Sequence, residues 1–221
     1  MFQRVSGLAA IAAGLTYVIG FWVYFSILGP AQYGSPALPA ATHVRFLVDN
    51  QTLMTLWNQI IYVFNAVLMV LIVVGLHQRL KASGALGQTA SAFGLIWAGF
   101  ILATGMLENI AIGQIVSLAA QDMEAAAAAW RSVTMVSAGL GGGNEITGGL
   151  WIFLLSLAGF QTKAIPFPVN LLGFAVGGAG IVSTVPALSS VAGMIFGLGF
   201  IVWFVVTGIA LFALKVPQGA D

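Results

Sequence analysis

Long apolar stretches separated by short polar breaks dominate the pattern along this chain. Val5 to Leu28 is continuously apolar and includes Tyr17, Trp22 and Tyr24. It is too long and too aromatic for the core of a cleaved leader and predicts a first transmembrane helix. Further apolar stretches predict helices over roughly 52–76, 90–117, 130–160, 169–185 and 191–214. The expected architecture is all-α: a single membrane domain over residues 1–221, built as a six-helix multi-pass bundle. No internal repeat is evident.

The breaks are as informative as the runs. Gly29 to Asn50 opens with Gly29-Pro30 and carries Pro36 and Pro39, so its first half reads as loop. Thr42 to Asp49 fits a short helix lying on the membrane surface. Gln121 to Ala129 reads as a connector or surface turn. Gln161 to Pro168 is a loop containing Lys163, and Pro186 ends the fifth helix.

Composition agrees with the pattern. Of 221 residues, 60% are hydrophobic and 6% charged, with mean hydropathy +1.03. A water-soluble domain carries about 25% charged residues, so this chain cannot coat itself in polar surface. With net charge +1 and no basic block, there is no electrostatic footprint for nucleic acid. The absence of cysteine excludes disulfides, thiolate metal sites and a cysteine nucleophile.

Six crossings put both termini on one side. Arg4, Arg79, Lys81, Lys163 and Lys215 then share that side, while Arg45 and Arg131 lie opposite. The positive-inside rule makes the termini cytoplasmic.

The candidate chemistry is sparse. Glu108 and Glu145 are the only acids inside predicted spans. An ionised carboxylate at bilayer depth costs at least about 2.5–3.5 kcal/mol, so each must be protonated, meet a cation or face water. No lysine or arginine sits at that depth, which also argues against a retinal Schiff base. Asn58, Asn65, Asn109 and Asn144 are the available amide partners, and Thr104 lies one turn before Glu108. Asn58, Tyr62 and Asn65 share one face of an ideal helix.

Gly141, Asn144, Glu145 and Gly148 follow i, i+3, i+4, i+7. Glycines at 139, 141, 142 and 143 each cost about 1 kcal/mol relative to alanine, so the fourth helix is a candidate for a break, with Asn144 capping a second half-helix. Helix centres place Glu145 and Asn65 near the midplane.

The ligand-binding candidates are therefore Glu145, Glu108, Asn144, Asn65, Asn58 and Asn109. The alternative is that both glutamates are amide-bonded and merely lock helices together. No catalytic or metal residue is assigned, and the cofactor is unknown. His43 and His77 read as surface. Trp57, Trp130 and Trp203 fit interfacial belts or packing. Small-residue ridges at Gly173/Gly177 and Gly193/Gly197, and at Ala90, Gly94 and Ala98, serve internal packing or a homo-oligomer or complex partner.

Three functions fit. The first is a bundle binding a small polar ligand, proton or cation, with transport as its use. The second is an accessory or scaffold subunit of a membrane complex. The third and weaker is intramembrane acid–base catalysis.

Gly149 to Ala158, Pro166 to Gly180, Val202-Trp203-Phe204 with Gly208 to Leu211, and Arg4 before Gly7-Leu8 together resemble an uncharacterised bacterial membrane family, labelled domain of unknown function 4386. The resemblance implies a bacterial multi-pass protein, hence one of the bacterial cytoplasmic (inner) membrane, and carries over no activity, ligand or catalytic residue.

Overall fold

Apolar runs rich in leucine, isoleucine, alanine and phenylalanine satisfy their backbone groups internally as helices, which is what an apolar environment demands. The computed structural model describes residues 2–142 and 145–214, and among these every regular element is helical. In order they are α1 Phe2–Val23, α2 Ala40–Asp49, α3 Gln51–Asn58, α4 Asn65–Arg79, α5 Ala85–Ala119, α6 Met123–Ser137, α7 Ile146–Thr162, α8 Phe167–Val182 and α9 Ser189–Ala213.

Among the described residues, four continuous stretches are long and apolar enough to cross a membrane: Phe2–Leu28, Gln51–Arg79, Ala85–Ala119 and Ser189–Ala213. Helices α7 and α8 are shorter and equally apolar. The exposed face of α9 shows why water is the wrong solvent. Val191, Met194, Ile195, Leu198, Val202 and Ile209 are all at least half exposed, while Phe196, Phe200, Trp203 and Phe204 fill its other face. Both faces are apolar, as expected where one meets lipid.

Among the described residues, three π-helical turns widen the helices, at Tyr24–Leu28, Gln59–Phe64 and Ala138–Gly142. The second joins α3 to α4. It changes the register that would have placed Asn58 and Asn65 two ideal turns apart, because a π turn closes i to i+5.

The expected fourth helix over 130–160 is corrected. Helix α6 begins at Met123, where the Asp122 carboxylate accepts the backbone N–H groups of Glu124 and Ala125 at 2.9 and 3.0 Å. Alanine's helix propensity makes Gln121–Ala129 mostly helix rather than connector. The run is then interrupted, with Ala138–Gly142 in a π turn and Glu145 occupying the N-cap position of α7. Asn144, expected to cap the second half, lies outside the described residues.

The chain divides into two compact units of non-consecutive stretches. Unit 1 holds residues up to Leu15, Ala66–Gly99 and the chain beyond Asn144. Its core is aromatic: Trp97, Trp151, Phe196, Phe200, Trp203 and Phe204 lie in successive ring contacts of 5.3 to 6.2 Å. Trp203 is thus a core residue rather than part of a belt.

Glycines let the unit 1 backbones close up. A Cβ on Gly177 would sit 2.6 Å from Phe153 N, and one on Gly149 would sit 2.6 Å from Ile181 N. The Gly173/Gly177 ridge is therefore spent inside the unit, whereas Gly193 and Gly197 face open space. On α5, Gly94 receives the Trp151 indole between the buried Ala90 and Ala98.

Unit 2 holds Thr16–Asn65 and Phe100–Gly143. All three π turns belong to it. Helix α2 packs against α6, burying His43, Val44 and Leu47 over Ile112, Ile115, Ala126 and Ala127. The long polar segment before α3 is thus anchored by its own amphipathic helix. Gly20 fits against Ile61, Gly105 fits against Tyr62 and Val63, and the Trp57 indole N–H donates to Gly20 O at 3.3 Å.

Candidate functional site

Within unit 2, one acidic position is built by α5 and α6. Ser137 is the last residue of α6, immediately before a π turn, and its hydroxyl donates to Glu108 Oε1 at 2.6 Å. Glu108 is half-buried and has no ion-pair partner among the described residues. Beside it, Asn109 holds both its amide Nδ2 and Oδ1 buried with no hydrogen-bond partner. Thr104, one turn earlier, is buried and donates back to Phe100 O at 2.9 Å, so its hydroxyl is committed to the helix.

The asparagines of the preceding helices have different surroundings. Asn65 is fully buried and donates to Thr16 Oγ1 at 2.6 Å, which ties α4 to α1. Asn58 is buried at the end of α3, just before the π turn.

A second polar cluster in unit 2 involves residues that sequence reasoning set aside. His43 is buried, not on the surface. Its Nδ1 accepts the Gly34 N–H at 3.3 Å, which leaves the proton on Nε2 to donate to Ser35 O at 3.1 Å. Both ring nitrogens therefore staple the preceding loop. The ring stacks on Trp130 at 4.5 Å and meets Tyr33 edge-on at 5.6 Å. The Trp130 indole N–H donates to the Tyr33 hydroxyl at 3.1 Å.

Burial pushes the Tyr33 phenol up to about 12. The Trp130 hydrogen bond works against that shift, and the Glu108 charge adds to it. Tyr33 thus feels the acid at Glu108 although the two are far apart in sequence. Only a paired aromatic and histidine in a polar loop could have hinted at this cluster, and that pattern has no fixed spacing.

Glu145 belongs to unit 1. Its backbone N–H donates to Ser183 Oγ at 2.9 Å, and the Ser183 hydroxyl donates to Gly180 O at 2.7 Å. The start of α7 is therefore fastened to the end of α8. The Glu145 side chain makes no cap hydrogen bond, and no described Lys, Arg or His pairs with it. Helix α7 has 17 residues, so Glu145 lies about 25 Å from the α7–α8 turn rather than halfway along a single long helix.

The structure thus divides the expected residues. Asn58, Asn65, Glu108 and Asn109 fall in unit 2, and Glu145 falls in unit 1. Among the described residues no three His, Asp or Glu side chains cluster as a metal site would require. His77 is half-buried, with Nδ1 2.8 Å from Ser91 Oγ, so it links α4 to α5.

No family model matches the chain, and no curated protein or solved structure matches it either.

Proposed function

We propose that this chain is an integral membrane bundle that binds a small polar ligand, proton or cation at Glu108, Asn109 and Ser137, with transport as its use. The carrying observation is Asn109. An unmet buried amide group costs about 1–3 kcal/mol, and Asn109 holds two such atoms beside an acid with one donor and no cation. A ligand with donors for Glu108 and Asn109 Oδ1, and an acceptor for Asn109 Nδ2, would meet all three demands. The π turns of the same unit support the reading, since such widened turns are enriched at functional sites. The interruption before α7 is of the kind transporters use to form sites within the bilayer.

The proposal extends to topology. Six crossings would comprise the four long stretches, the interrupted α6–α7 run and α8. Gln3 Nε2 donates to Leu211 O and Leu214 O at 2.7 and 2.8 Å, so both ends of the described chain lie at one end of unit 1. Arg79 bonds Gln3 and Ala164 there. The positive-inside rule would make that end cytoplasmic, in a bacterial inner membrane. Membership of the domain of unknown function 4386 family is part of the same proposal.

Purified protein in liposomes tests the binding site. A gradient-driven flux assay should show uptake of a proton, a monovalent cation or a small donor-rich solute. Glu108→Gln should reduce that flux at least about tenfold, the cost of one lost charge-assisted interaction. Asn109→Leu, which removes the unmet amide, should stabilise the fold while also abolishing uptake. Flux unchanged in both variants would sink the reading. A scaffold role is the second reading, favoured by the open Gly193/Gly197 face of α9.

A further inference from the structure

On α6 of unit 2, Trp130 and Ser137 are seven residues apart, about two turns, so they share one face. The Ser137 hydroxyl donates to Glu108 Oε1 at 2.6 Å, and the Trp130 indole N–H donates to the Tyr33 hydroxyl at 3.1 Å. One face of α6 therefore holds both the acid and the phenol, with roughly 10 Å of helix between the two points of attachment. On α5, Glu108 and Ile112 are one turn apart on a common face. Tyr33 and Trp130 pack against the apolar cluster that contains Ile112 and Ile115. The loop that carries Tyr33 thus covers the α5–α6 seam next to Glu108.

Tyr33 is held in that place from several directions. His43 ties the two residues after it, accepting from Gly34 N–H at 3.3 Å and donating to Ser35 O at 3.1 Å. The Tyr33 ring meets His43 edge-on at 5.6 Å and Trp130 at 6.2 Å. Its hydroxyl oxygen accepts from Trp130, but its own proton has no acceptor among the described residues. Burial, with the Glu108 charge adding to it, raises the phenol to about 12, so it remains a donor at neutral pH. The action of that charge also places the two groups within electrostatic reach of each other. Glu108 has no cationic partner among the described residues, and Asn109 Nδ2 and Oδ1 are both unmet. An unpaired acid, an unmet amide and an unspent donor are thus gathered from one helix and one loop.

We propose that Tyr33 is a further binding residue of the Glu108–Asn109 site and that the ligand of that site is a small primary ammonium carrying a hydroxyl or carbonyl oxygen. This assignment rests on the binding role proposed above for Glu108 and Asn109. The ammonium would donate to Glu108 and to Asn109 Oδ1. The ligand oxygen would accept from the Tyr33 O–H and from Asn109 Nδ2. A proton or a bare metal ion has no lone pair to take the Tyr33 hydrogen, so neither meets the whole set. An anion would meet the two donors but would face the Glu108 carboxylate without a counter-charge.

The test uses the full chain in detergent micelles, titrated by calorimetry near neutral pH with ethanolamine and with ethylamine. Both probes are ammonium ions there, and they differ by one hydroxyl. Ethanolamine should bind the parent protein about fivefold more tightly, the effect of one net hydrogen bond. Tyr33→Phe should weaken ethanolamine about fivefold and leave ethylamine unchanged, a pattern that a damaged fold would not produce. Glu108→Gln should weaken both amines at least about tenfold. Equal binding of the two amines to the parent, or binding of neither, would overturn the ligand class. Equal losses for both amines in Tyr33→Phe, or no loss for either, would overturn the role of Tyr33 while the Glu108 site stood. Parent-like binding of both amines by Glu108→Gln would overturn the site itself, and this proposal with it.

Discussion

Tyr33 shows how burial changes a single residue's chemistry. Its phenol is raised from the ordinary value near 10 to about 12, chiefly by burial. The folded state therefore holds the phenolic proton more tightly than the unfolded chain does. That contribution to stability is fully present below pH 10 and is lost as pH rises from about 10 through 12. Titration of phenolate absorbance in detergent should show a late-ionising component that is absent in Tyr33→Phe, and parent stability should fall faster than that of the variant across this window. A late-ionising component that persists unchanged in Tyr33→Phe would refute the assignment. At the same scale, Glu108 was recognisable from sequence because an acid in an apolar run is costly wherever it points. Ser137, its donor, was not, since one more serine on an apolar helix carries no mark of its partner 29 residues away.

At the scale of elements, neighbouring glycines on α8 have opposite roles. A Cβ on Gly177 would meet Phe153 N and Gly149 O at 2.6 and 2.8 Å, both backbone atoms that cannot yield without moving α7. A Cβ on Gly178 would meet nothing within 4 Å. Gly177→Ala should therefore destabilise the protein by about 1–3 kcal/mol, whereas Gly178→Ala should gain up to about 1 kcal/mol from helix propensity. Thermal midpoints measured in one detergent would check both, and equal effects would show that α7 and α8 do not cross so closely. Sequence spacing marked Gly173 and Gly177 as a ridge but could not say which helix it met. The interruption near Glu145 was likewise legible as a glycine cluster. Its outcome, with the backbone N–H of Glu145 tied to Ser183 of α8, depends on which neighbour arrives.

For the whole molecule, orientation is the property most directly open to experiment. The chain has no cysteine, so single cysteines can be introduced into the intact protein without a background. Under the proposed topology, a membrane-impermeant maleimide applied to intact cells should label Arg45→Cys and Arg131→Cys. It should reach Lys81→Cys and Lys163→Cys only after lysis, and labelling of either in intact cells would reverse the assignment. Hydropathy was sufficient to predict helices and an apolar environment. A run of apolar side chains is a local property, and helical hydrogen bonds close within a few residues, so neither depends on distant partners. The division into two units, the burial of His43 beneath Trp130, the pairing of Ser137 with Glu108 and the unmet amide of Asn109 belong to the tertiary structure alone. Each depends on which remote segment supplies, or fails to supply, a hydrogen-bond partner, and spacing along the chain does not encode that choice.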